Sequence, residues 1–105
     1  MSVMRAREEH LPFVIALDQL ARHPNAVVLR TLAGGPRRFN ELTVELAAVP
    51  ESELSAGLRE LDAEHLVARR VDPGPPLRVL YELTPQGERL APALRALGDW
   101  AEKSI

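Results

Sequence analysis

Cysteine is absent from the 105 residues. Disulfides, thiolate metal sites, cysteine nucleophiles and thiol redox sensing are therefore excluded for this sequence, and the absence fits a cytoplasmic protein. Aromatic residues are scarce, with two Phe, one Tyr and one Trp. Leucine, valine and alanine must fill the core instead. Lysine occurs once, at Lys103, so nearly all the basic residues are arginine. No run of about 18 apolar residues occurs, so no membrane span is expected. The early apolar stretch from Phe13 to Leu17 is too short for a signal-peptide core. The histidines His10, His23 and His65 are scattered, without the spacing that metal ligation needs. No glycine-rich phosphate loop or serine elbow is present. Neither a metal, a cofactor nor a catalytic residue is expected, and the chain does not read as an enzyme.

What is there suits one domain, 1–105. A chain of this length buries roughly two thirds of its unfolded surface, enough for one modest core. The formal net charge is −2. That weighs mildly against a nucleic-acid partner, although a local basic surface can coexist with it.

Residues 1–10 are polar and charged without a clear period, and read as a flexible arm. From Pro12, Phe13, Leu17 and Leu20 recur at helical spacing. Pro24 interrupts the pattern, and Asn25 is placed to cap a second helix carrying Val28, Leu29 and Leu32. Gly34-Gly35-Pro36 ends it, since glycine relieves a left-handed C-terminal position and proline cannot continue a helix. A short helix follows, with Asn40 as its expected N-cap, Phe39 and Val44 at staple spacing, and Leu42 and Leu46 on its buried side. After Pro50 the spacing predicts a helix over Glu51–Glu64, with Leu54, Leu58 and Leu61 on one face. Two β-prone runs, Leu66–Val71 and Leu77–Leu83, flank the loop Asp72-Pro73-Gly74-Pro75-Pro76 and read as a hairpin. Thr84 caps a last helix with Pro85 in its first turn and Leu90, Leu94, Leu97 and Ala101 on one stripe beside Trp100. The expected fold is mainly α with a small β-hairpin, α+β. It comprises a helix-turn-helix over 39–64, a wing over 66–83 and a C-terminal helix over 84–105.

The residues also carry a family resemblance. Gly35-Pro36-Arg37-Arg38-Phe39-Asn40-Glu41-Leu42 resembles a segment of HxlR-type regulators, which are related to the MarR family. Leu58-Arg59-Glu60-Leu61 with Leu66-Val67-Ala68-Arg69-Arg70 resembles their passage from recognition helix to wing. Pro75-Pro76 with Val79, Tyr81, Leu83-Thr84 and Gly87 resembles their wing and following helix, and Trp100 matches a tryptophan near the chain end. The resemblance spans roughly Leu17 to Trp100. It implies a winged helix-turn-helix homodimer held by its first and last helices, which presents two recognition helices to successive major grooves and regulates transcription, as a repressor. The sequence departs from the pattern in several places. The family's early cysteine is missing, and its GGKW reads Ala21-Arg22-His23-Pro24. A frequent lysine is Ser52, a frequent arginine is Gly57, and the usual glycine before Leu66-Val67 is His65.

At about 100° per residue, Ser52, Ala56 and Arg59 lie opposite the leucine stripe of the recognition helix, with Ser55 beside them. Arg59 is the expected reader of a base edge or a phosphate, Ser52 and Ser55 can reach phosphates, and Ala56 permits close approach. Arg37 and Arg38 precede the helix-turn-helix, where phosphates would pass. Strand alternation lets only one of Arg69 and Arg70 face DNA; Arg70 is preferred, with Arg78 nearer the wing tip. Phe13, Leu17, Leu90, Leu94, Leu97, Trp100 and Ala101 are the expected dimer seam.

Charge opposes this reading. Between Arg37 and Glu82 stand six Arg against nine Asp or Glu, a net of −3. Two functions therefore stand open. One is a homodimeric regulator bound to an operator in double-stranded DNA, with any small-molecule effector unnamed. The other is a winged helix dimer that binds a protein or small ligand and has weak or lost DNA binding.

Overall fold

The computed structural model describes residues 11–105; the arm expected over 1–10 lies outside them. Five helices and one hairpin follow in order. They are α1 (Leu11–Ala21), α2 (Asn25–Leu32), α3 (Phe39–Glu45), α4 (Glu51–Ala63), β1 (Val67–Asp72), β2 (Arg78–Leu83) and α5 (Pro85–Ser104). The hairpin is antiparallel, pairing Val67 with Leu83 at its base and Asp72 with Arg78 near its tip. Arg37 adds a short third rung, exchanging both backbone hydrogen bonds with Tyr81 at 3.0 and 2.8 Å. The sequence carries no strand pattern at Arg37, because a single rung has no period to show.

Leucine and valine do fill the core. Val28, Leu29 and Leu32 of α2 meet Leu42 of α3, then Leu54, Leu58 and Leu61 of α4, with Leu66, Val67 and Leu94 closing around them. The α3 start differs from expectation. Arg38, not Asn40, is the N-cap, and its backbone N–H donates to the Glu41 carboxylate at 2.8 Å. A guanidinium has no acceptor to complete a capping box. The expected staple fails too: Val44 is 76% exposed, while Phe39 packs on the core. Asn25 is likewise no cap. It is the first helical residue and is buried, with its amide donating to the Gln19 carbonyl at 3.2 Å.

The outer helices hold less of the core. No residue of α1 is buried, and the helix packs chiefly on α2. Phe13 is 64% exposed, Leu97 58% and Trp100 60%. Leu17 is exposed as well, and Ala101 is half-buried. Of the expected seam, Leu94 is instead buried in its own chain's core, with Leu90 packed against that core. Both face inward because α5 lies along α2.

The α4 C-terminus is a closed corner. The His65 N–H donates to the Asp62 carbonyl and the Leu66 N–H to the Leu61 carbonyl, each at 3.0 Å. That pair of bonds is the helix stop normally supplied with glycine. Here His65 takes the left-handed conformation, φ 62°. Thr84 ties the α5 start to the same corner. Its hydroxyl donates to the His65 carbonyl at 2.6 Å and accepts the Gly87 N–H at 3.1 Å. A Cβ on Gly87 would lie 2.3 Å from the Leu66 carbonyl oxygen, so only glycine allows the two backbones this approach. A left-handed non-glycine residue costs about 1–2 kcal/mol. His65→Gly is therefore expected to stabilise the fold by about 1 kcal/mol in urea unfolding, with an unchanged m-value.

Candidate nucleic-acid interface

Helix α4 starts directly after Pro50, with Glu51 and Glu53 in its first turn, where the helix dipole favours negative charge. Burial of Leu54, Leu58 and Leu61 fixes which side looks outward. Ser52, Ala56 and Arg59 are exposed on that side, and Ser55 is half-buried at its edge.

The two flanks of α4 differ in charge. Glu53, Glu60 and Glu64 form one flank, which meets the corner between α1 and α2. The Arg22 guanidinium pairs with Glu60 and, at 3.4 Å, with Glu64. The His23 ring lies 3.5 Å from Glu53. The hydrogen bond that Arg22 donates to Glu60, reinforced by that carboxylate's charge, raises the Arg22 pKa above the usual arginine value. Family positions read as lost in Ala21-Arg22-His23-Pro24 thus hold the acidic flank of α4.

The opposite flank opens on the wing. A groove of about 110 Å³ runs between α4 and the hairpin, lined by Ser55, Leu58, Arg59, Asp62, Arg69 and Tyr81. Arg69, not the preferred Arg70, shares this groove with Arg59. Arg70 points to the other face, where its Nε donates to Glu82 at 3.0 Å. Strand alternation carries the signal that decides between them: Val67 is buried against α4's side of the hairpin, and Arg69 follows it by two.

Arg37 is half-buried and held by neighbours in its own chain. Its Nε donates to Glu45 at 2.6 Å and its Nη1 to the Gly35 carbonyl at 2.6 Å, which braces the turn between α2 and α3. Arg38 stands exposed at the α3 N-terminus, and Arg78 is exposed near the wing tip. Among the described residues, Arg38, Arg59, Arg69 and Arg78 have no carboxylate within ion-pair distance. By contrast Glu45, Glu53, Glu60, Glu64 and Glu82 each lie beside a cation or an imidazole. Five of the nine carboxylates counted in this half of the chain are thus held by neighbours outside the groove, while Asp62 lines the groove beside Arg59 and Arg69.

Gly57 is a second position that tertiary structure explains. It is buried, and a Cβ there would stand 2.9 Å from the Pro24 Cδ. The side chain that the family frequently carries here has no room beneath the α1–α2 corner. In an exposed helix Gly→Ala gains about 1 kcal/mol, whereas overpacking a tight contact costs about 1–3 kcal/mol. Gly57→Ala is thus expected to lose about 1 kcal/mol net in urea unfolding.

A helix-turn-helix with an adjacent two-stranded wing, an outward small-residue face and unpaired arginines along it defines a winged helix DNA-binding protein. Residues 20–105 match the family described as HxlR-like helix-turn-helix, and the chain belongs to that family. It is 37% identical to the HTH-type transcriptional regulator YvaP of Bacillus subtilis over 93 residues, 89% of this chain and 86% of that protein. It is 31% identical to the regulator YodB of the same organism over 88 residues, 84% and 79% of the two chains. Among solved structures, the redox regulator HypR in its oxidised form superposes with a TM-score of 0.81 at 29% identity, covering 90% of this chain and 97% of that one. Reduced YodB superposes at 0.77 and 30% identity, covering 86% and 88%. The protein is a transcriptional regulator of the HxlR type.

Proposed function

We propose that the chain acts in the cytoplasm as a homodimeric repressor that reads an operator in double-stranded DNA, working by binding rather than catalysis. The carrying observation is the placement of Arg59 and Arg69 on the two sides of one groove, while the acidic flank of α4 is held against Arg22 and His23. In this reading α4 enters the major groove, with Arg59 on a base edge, Ala56 allowing close approach, and Ser52 and Ser55 on phosphates or bases. Arg38, Arg69 and Arg78 meet backbone phosphates. Arg37 and Arg70 hold the frame through Glu45 and Glu82.

Binding to the DNA upstream of the protein's own gene, followed by fluorescence anisotropy at several salt concentrations, tests this directly. Arg59→Ala should cost about 1–3 kcal/mol of preference for the specific site. Arg69→Ala should weaken all sequences alike and lower the salt slope by about 1. Arg70→Ala should change neither. Absence of specific binding at low salt, or an Arg59→Ala variant that binds as the parent does, would overturn the reading and favour a protein- or ligand-binding module.

The dimer rests on apolar surface left uncovered within one chain. Phe13 and Leu17 on α1, with Leu97, Trp100 and Ala101 on α5, offer a seam that a second copy can cover. Two half-sites one helical turn apart require such a pair. Phe13→Glu is expected to give monomers by light scattering and to lose most of the affinity for a two-half-site operator, because the second half-site then binds independently. A dimer unchanged by Phe13→Glu would remove α1 from the seam.

YodB and HypR have been described in reduced, oxidised or quinone-bound forms. With no cysteine in these residues, a thiol response is closed to this chain. Any signal it receives must act without thiol chemistry.

A further inference from the structure

A second recess lies behind the wing, where the end of α2, the base of β2 and the first turns of α5 meet. It measures about 280 Å³. Leu32, Ala33, Leu83 and Ala91 supply apolar wall, and Glu82, Glu88 and Arg95 supply charge. Among the described residues, neither Glu88 nor Arg95 has an ion-pair partner. They stand seven residues apart on α5, roughly two turns or about 10 Å along the axis. That is too far to pair, and long helical side chains lean towards the N-terminus, which brings Arg95 back towards Glu88. The recess thus carries two exposed, unpaired charges of opposite sign beside a small apolar patch from Leu32, Ala33, Leu83 and Ala91.

Two features add negative potential at the carboxylate side. The last carbonyls of α2 end at Leu32 and Ala33, the negative pole of that helix. Pro92 has no N–H to give the Glu88 carbonyl, so one acceptor on the lining turn lacks its helical partner. Glu82 supplies a further carboxylate, already shared with Arg70.

We propose that this cavity binds a small zwitterion built on an apolar body, with the chemistry of a free apolar amino acid. Its ammonium lies towards Glu88 and Glu82, its carboxylate against the Arg95 guanidinium, and its side chain against Leu32, Leu83 and Ala91. A guanidinium takes a carboxylate through two parallel hydrogen bonds, which gives orientation as well as charge. An amine or an acid alone would leave one of the unpaired charges unmatched, and this is the source of selectivity.

Titration of the isotopically labelled protein with L-leucine, followed by amide chemical shifts, tests the site. Isoamylamine and 4-methylpentanoate, which lack the carboxylate and the amine respectively, serve as comparisons. Saturable shifts at Gly35, Leu83 and Ala91 are expected, with both analogues binding at least about tenfold more weakly, or about 1.4 kcal/mol. Glu88→Gln and Arg95→Gln should each cause a similar loss while leaving DNA affinity unchanged, since neither belongs to the DNA interface. Ala33→Phe, which fills the cavity from its rim, should abolish the shifts. Equal binding of leucine and either analogue would overturn the proposal. So would shifts confined to other residues, no saturation, or an undiminished response in both charge variants.

Discussion

The arrangement of this protein depends on one junction, the corner at His65 and Leu66. Three constraints meet there. The left-handed His65 ends α4, the Thr84 hydroxyl bridges to the His65 carbonyl, and Gly87 lets the α5 backbone approach Leu66. Strand β1 begins just after the corner and β2 ends just before Thr84, so the corner is also the base of the wing. The junction of recognition helix and hairpin is held by backbone hydrogen bonds and one short hydroxyl bridge rather than by long, flexible side chains. That rigidity is what places Arg69 across from Arg59, since both project from elements anchored at the same point.

Electrostatics is organised around the same frame. A helix that reads DNA gains from carboxylates at its start, through its dipole, yet those carboxylates repel phosphate. The conflict is eased here by geometry. The leucine stripe of α4 turns Glu53, Glu60 and Glu64 towards the α1–α2 corner, where Arg22 and His23 meet them. Pro24 and Asn25 sit close above Gly57, so the loss of side-chain volume at Gly57 and the pairing at Arg22 belong to one contact. Surface pairs of this kind add little stability individually. Their consequence lies in the field they leave: a groove in which Arg59 and Arg69 outnumber the one carboxylate, Asp62.

The helix-turn-helix, the wing and the leucine core were legible because each is a local pattern. Leu54, Leu58 and Leu61 repeat at helical spacing, a Pro/Gly loop separates two β-prone runs, and Thr84-Pro85 opens a helix. The exposed positions Ser52, Ala56 and Arg59 followed from the same period. Cap chemistry was read less well. Asn25 and Asn40 have the right side chains for N-caps, but Asn25 is drawn into the interior beside Gly57, and the α3 N-cap falls two residues earlier, at Arg38, next to the Arg37–Tyr81 rung. Leu90 and Leu94 belong to the apolar stripe of α5, yet a stripe does not say which neighbour covers it.

The order of residues by itself determined the type of each element, the leucine stripe that α4 buries and the absence of thiol chemistry, because these depend on residue type and short-range period. Only the tertiary structure decided which arginines are free. Arg37 and Arg70 are paired with Glu45 and Glu82, while Arg59 and Arg69 share a groove. The physical reason is that an ion pair depends on separation in space, and the partners of Arg22 and Arg37, and the groove between Arg59 and Arg69, are created when distant segments pack on one leucine core.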